Sequence, residues 1–274
     1  MNINEPYLFI GINDSNFIFF VVKYDENFSF TVLEKVEVKS GGVKNGKIID
    51  VEISSKILKE NLKIIEKKID FTFKKSVILT NQNNLSCINI TGFKKLNGSQ
   101  ILNEDISYIL NEAKNLLIEN RPNLNLIHIF NSSFILDQAE LDNLPIGLYG
   151  EFYSQQLTFF LIPKNDEKNL KLVFNKCGID LEKIILEPFV NDLELLKKNS
   201  DNIFSSINIG KLTSSISVFY KSSFIYYEVF NFGSDIIIND VCKVCSLTNE
   251  TVRKIFSENI FNNLDIDKEE KYLD

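Results

Sequence analysis

The sequence predicts an α/β protein of two lobes with a separate α+β module spliced into the first. Three observations predict it. Three strand-like segments followed by helical periodicity occur twice, once from Tyr7 and again from Ser205. Between the two copies, from about Asn81 to Pro163, runs a stretch with its own strands and its own strongly periodic helix. At 274 residues the chain has room for two structural units at roughly 100–200 residues each.

The elements follow in order. Residues 7–11, 17–24 and 28–39 are rich in Phe and Val and are separated by Asn, Asp and Gly, which reads as a three-stranded meander. After Ser40-Gly41-Gly42, the residues Ile53, Ile57, Leu58, Leu62, Ile65 and Ile69 recur at helical spacing. Residues 76–80 are a short apolar run suited to a buried parallel strand, reached through that helix.

The module reads as a strand over 85–90, then a helix with Ile106, Ile109, Leu110, Ala113, Leu116 and Leu117 on one face. Asn103 is its expected N-cap, with Glu104 and Asp105 at the positive end of the dipole, and Pro122 stops it. Strands over 126–130, 133–136 and 156–162 complete a small sheet. A helix carrying Leu170, Val173, Phe174 and Cys177 ends at Gly178, a strand covers 184–186, and Pro188 opens another helix. The second meander covers 205–209, 216–220 and 224–230, and Gly233 leads into helices over 235–245 and 248–260. Residues 265–274 carry too little apolar content to pack. The division is 1–80 and 164–199 for the first lobe, 81–163 for the module and 200–274 for the second lobe.

Composition removes several classes. With 44% hydrophobic and 24% charged residues the chain is near the globular average, so disordered and collagen-like classes are excluded. Its 30 basic and 37 acidic residues give a net charge of −7, and its only arginines are Arg121 and Arg253, which argues against a nucleic-acid partner. Four cysteines without a secretory leader read as reduced thiols in a cytosolic protein, and no apolar run reaches the roughly 18 residues of a membrane span.

The motifs bring a family into view. Gly42-Val43-Lys44-Asn45-Gly46-Lys47-Ile48-Ile49-Asp50 resembles the G-V-x-x-G-x-I-x-D segment of the bacterial cell-division FtsA family, within the actin/Hsp70 superfamily. Leu102 to Ile106 with Ala113-Lys114, and Leu126 to Phe130 with Phe134 to Asp137, are similar to the helix and strands of that family's insert. Pro145-Ile146-Gly147-Leu148-Tyr149-Gly150, Cys177-Gly178-Ile179 with Ile185-Leu186-Glu187-Pro188, and Gly233 to Val241 resemble three further segments in the same order. The resemblance covers about Tyr7 to Ile260. It implies actin-like, ribonuclease H-like lobes, an inserted SHS2-type subdomain and an incomplete second lobe, since the family's pattern continues past Asp274. It also implies an exposed edge on the strands over 216–230.

In that superfamily two β-hairpins hold a nucleotide's phosphates and organise Mg²⁺. The family's D-I-G-T-S falls on Gly11-Ile12-Asn13-Asp14-Ser15, and its D-I-G-G-G-T-T-D on Asn208 to Ser215, so carboxylates and glycines are missing from both. Asn13, Asp14, Ser15, Gly210, Lys211, Thr213 and Gly233 are what remains of a cofactor site. The expectation is a non-hydrolysing protein that requires no cofactor and binds ATP weakly if at all, with neither catalytic nor metal-binding residues. Lys211 either replaces part of the metal's charge or is a plain solvent-facing lysine.

By resemblance the chain is a division scaffold at the septum, on the cytoplasmic face of the inner membrane, with FtsZ, FtsN and further copies of itself as partners. The alternative is a PilM-like cytoplasmic protein of pilus or secretion assembly. Other signals read as structural. Cys242-Lys243-Val244-Cys245 lies in a helix with no second pair, His128 alternates with isoleucines in a strand, and Asp137, Glu140 and Asp142 form a solvated loop.

Overall fold

The computed structural model describes residues 5–27, 29–198 and 203–257. Phe28, residues 258–260 of the last expected helix and the tail over 265–274 lie outside the described residues. The chain divides into two compact units, the first made of residues 1–206 and 217–228, the second of 207–216 and 229–274.

The first unit is built on a five-stranded sheet of β1 (Tyr7–Ile12), β2 (Asn16–Tyr24), β3 (Phe30–Lys39), β6 (Lys75–Thr80) and β11 (Asp180–Leu186), in the order β11-β6-β1-β2-β3. β1 runs antiparallel to β2 and parallel to β6, which is parallel to β11. Between the meander and β6 come the short hairpin strands β4 (Val43–Lys44) and β5 (Lys47–Ile48), then α1 (Val51–Ile69). Alternation sends Leu8, Ile10, Ile12, Phe17, Phe19 and Ile78 to one face, where Leu58, Leu62 and Ile65 of α1 and Leu170, Val173 and Phe174 of α3 (Lys164–Cys177) close the core. Asp50 caps α1 by accepting the Ile53 N–H at 2.9 Å. The expected stripe on this helix holds in all but its first residue, with Leu58, Leu62 and Ile65 buried and Ile57 and Ile69 packed against the same core. Ser54 and Ser55 are buried, while Ile53 is half exposed, because the helix leans its Leu58–Leu62–Ile65 line on the sheet. Gly178 ends α3 with φ 80°, as its position predicts.

A second, four-stranded sheet lies wholly between Ser86 and Pro163 in the order β7-β10-β8-β9. It comprises β7 (Ser86–Lys95), β8 (Leu124–Leu136), β9 (Ala139–Leu141) and β10 (Phe152–Pro163), with α2 (Asn103–Asn120) across one face. Ile109, Ala113 and Leu117 of that helix pack on Tyr153, Leu157, Phe159 and Leu161. Two expectations change here. The two strands expected over 126–136 are one long strand, and the cap of α2 is Leu102, not Asn103. Asp105 reaches back to accept the Leu102 N–H at 2.8 Å, so Asn103 is free to take helical geometry.

After β11 come the short helices α4 (Glu187–Asn191) and α5 (Leu193–Lys198). The second meander, β12 (Ile203–Ile209), β13 (Ser214–Tyr220) and β14 (Ser223–Phe230), forms a three-stranded sheet in that order. Within the first unit, the tip of its β13–β14 hairpin is fixed to the second sheet. Tyr220 donates to Glu140 at 2.9 Å, Lys221 reaches Glu140 and Asp142 at 3.1 and 3.0 Å, and Phe224 stacks on Phe160 with centroids 4.5 Å apart. Glu140 and Asp142 were expected only to solvate a loop. They bond to the tip of this hairpin instead, and Asp137 accepts the N–H groups of Glu151 and Phe152. The second unit holds the turn 210–213, α6 (Ser234–Cys245) and α7 (Asn249–Ser257), the two helices joined by Arg253 and Asp235.

Candidate phosphate hairpins

The β1–β2 turn brings Asn13, Asp14 and Ser15 together, and the Asn13 side-chain oxygen and the Asp14 carboxylate are both used within the protein. The Asn13 side chain accepts from the Ser15 and Asn16 N–H groups at 3.1 and 2.7 Å, closing the turn on itself. Asp14 turns the other way. Its two carboxylate oxygens accept the N–H groups of Asn45 and Gly46 at 2.8 and 2.7 Å, and its carbonyl accepts the Ser40 hydroxyl at 2.6 Å. The Ser15 carbonyl takes the Ser40 N–H at 2.9 Å. The carboxylate thus clasps the β4–β5 hairpin. Gly46 makes this possible, because at φ 70° a Cβ there would come within 2.3 Å of the Asn81 carbonyl oxygen. Sequence reasoning marked Asp14 but missed Ser40, Asn45 and Gly46 as its partners, although the glycine-bearing motif was the available signal.

The second turn brings together Gly210, Lys211, Thr213 and Gly233. The Gly210 N–H donates to the Thr213 carbonyl at 2.9 Å. The Gly210 and Lys211 carbonyls then accept the Ser234 and Asp235 N–H groups at 2.9 and 3.0 Å. Those two donors open α6, and free donors at a helix start are what would meet a phosphate. Here they face carbonyl oxygens. Gly233 lets the two segments meet, since a Cβ on it would lie 2.5 Å from the Gly210 oxygen. Lys211 is exposed, and its Cβ and that of Leu212 stand where a phosphate-gripping loop needs bare backbone.

Neither hairpin fits a Mg²⁺-bound nucleotide. In the first, glycine stands where the family's motif has its carboxylate, and Asp14, three residues on, is occupied by amides. In the second, Asn208 and Ser215 bring no charge. Among the described residues no group of three or more His, Cys, Asp or Glu side chains is placed to hold a metal. Cys242 and Cys245 sit on α6, the former half-buried and the latter exposed. His128 lies on β8 beside Phe130, and burial, helped by Lys183, pushes its pKa down to about 4, so the ring is neutral. Burial likewise pushes the Cys87 and Cys177 thiols up to about 11, which makes both poor nucleophiles.

No protein-family model matches the chain. Among curated proteins it is 21% identical over 218 residues to the cell division protein FtsA of Rhizobium meliloti, covering 79% of this chain and 49% of that one. FtsA of Bacillus subtilis is 22% identical over 244 residues, covering 88% and 55%. Over most of its length the chain is similar to FtsA proteins. It spans about half the length of the curated relatives it matches. Among solved structures, a chain of the PilM–PilN type IV pilus biogenesis complex superposes with a TM-score of 0.60 at 11% identity, over 91% of this chain and 68% of that one. The fold is actin-like. Among the described residues no helix is long and apolar enough to cross a membrane.

Proposed function

We propose that the chain is an FtsA-like scaffold of cell division that works by binding other proteins and does not hydrolyse ATP. The observation that carries this reading is the internal use of the Asp14 carboxylate, which leaves the first hairpin no charged group for a metal. The FtsA relatives supply the process. In this reading the module over 81–163 makes contacts between protomers and meets FtsN. The second lobe, of which α6 and α7 are described, contributes to the surface that meets FtsZ. The work takes place at the septum, on the cytoplasmic face of the inner membrane. Residual ATP binding, if any, rests on Lys211 and is weak.

Two measurements test it. Titration calorimetry with ATP and Mg²⁺ is expected to give no metal-dependent binding, and micromolar or tighter metal-dependent binding overturns the non-hydrolysing reading. Retention of an FtsZ C-terminal peptide by the chain is expected, and its absence removes the tether role.

The superposition on the pilus complex favours a second reading, a PilM-like protein that captures a short peptide from an inner-membrane partner. The G-V-x-x-G-x-I-x-D match supports the first. Division and murein genes beside this one would favour the scaffold, and pilus genes the alternative.

A further inference from the structure

The first sheet is covered by α1 and α3 on one face, and its other face floors a cavity of about 400 Å³. Phe9, Ile18, Phe20 and Leu79 make the floor. Gly11 deepens it: a Cβ there would meet Ile18 at 3.6 Å, an ordinary contact, so the position is open to a side chain and closed by nothing. Tyr24 and Phe30, edge to face with centroids 6.3 Å apart, line one end. The other end lies where the parallel strands finish. Gly11 pairs with Leu79 and Leu79 with Ile185, so Asn13 at the end of β1 and Glu187 just past β11 fall on the same side, with Asn191 beside them.

This is an apolar trough with a polar head, at the carboxyl ends of parallel strands, where open α/β sheets bind ligands, and of a size typical of small-molecule sites. Glu187 is the only charged side chain among its described lining residues. Burial holds its carboxyl above the usual range, and the Asn191 amide, its hydrogen-bond partner, offers donors but no charge. A carboxylate held in apolar surroundings is stabilised most by a cation that brings its own apolar body.

We propose that this cavity binds a small cationic amphiphile, an alkyl or aryl ammonium or amidinium, whose body lies on Phe9, Ile18 and Phe20 and whose head meets Glu187. The test uses n-octylamine, n-octanol and octanoate, titrated separately into the full chain and followed by protein NMR. Octylammonium is expected to bind at least about tenfold more tightly than octanol, with octanoate weakest. Glu187→Gln should reduce octylammonium to the affinity of octanol, and Gly11→Leu, which fills the floor, should lose both. Circular dichroism checks that Gly11→Leu folds, and the Glu187→Gln comparison stands without it. Equal binding of amine and alcohol, preference for octanoate, no amine binding, or amine binding unchanged in Glu187→Gln would each overturn the proposal.

Discussion

Asp14 is the residue on which the reading of the first hairpin turns. A carboxylate that accepts two backbone N–H groups makes charge-assisted bonds, and its removal leaves both amides of the β4–β5 turn without their partner. Asp14→Ala is therefore expected to lower stability by about 2 kcal/mol in urea unfolding, with Asp14→Asn in between, while titration with ATP and Mg²⁺ stays as it was. A metal-binding Asp14 would give the opposite pattern, a small change in stability and a large one in nucleotide affinity. His128 makes a second residue-scale case. Its pKa is depressed from 6.5 to about 4 in the folded protein, so the unfolded chain binds the proton more readily. The contribution of the neutral ring is fully present above pH 6.5 and is lost as pH falls toward 4. His128→Leu should flatten the dependence of the urea midpoint on pH across that window, and an unchanged slope would show that His128 is not its source.

At the scale of elements, the β4–β5 hairpin depends on one backbone conformation. Gly46→Ala places a Cβ against the Asn81 carbonyl in a left-handed residue, and a loss of about 2–4 kcal/mol is expected, larger than for Asp14→Ala because backbone cannot step aside. Thermal unfolding of the two variants side by side checks the order. The sequence carried only the resemblance of Gly42 to Asp50 to a glycine-bearing turn before a helix, and not the two short strands, while φ values of 72° at Gly42 and 70° at Gly46 account for both glycines. The long strand β8 was not legible in the sequence. Its polar interruption at Asn131-Ser132-Ser133 reads as a break between strands, yet the register passes from Ser133 opposite Gln156 to Asn131 opposite Leu157, so Ser132 is bulged and pairing continues. Local polarity cannot tell a bulge from a turn, because the difference lies in the partner strand. The same limit hid Glu187, whose burial depends on α4 folding over the end of β11, and the partners of Asp14, which lie some thirty residues away in sequence.

At the scale of the molecule, Phe219 and Phe224 of the second meander pack within the first compact unit. The sequence division places the second meander in the second lobe, over 200–274, with an exposed edge expected on the strands over 216–230. Instead, residues 217–228 belong to the first unit. Phe224 is fully buried, stacks on Phe160 and Phe219 at 4.5 and 4.8 Å, and meets Phe130 edge-on at 5.9 Å. The polar contacts at the hairpin tip, Tyr220 and Lys221 with Glu140, are exposed and add little beside this burial. Phe224→Ala is therefore expected to cost about 3–5 kcal/mol, whereas Glu140→Ala should cost under about 1 kcal/mol. Native-state hydrogen exchange separates this from general softening. In Phe224→Ala the amides of β14 within residues 223–228 should lose protection, while those of β1, whose core is made with α1 and α3, should keep theirs. Equal loss in both would mean that the aromatic cluster is one with the first core, and no loss in β14 would mean that the hairpin is held by its polar tip.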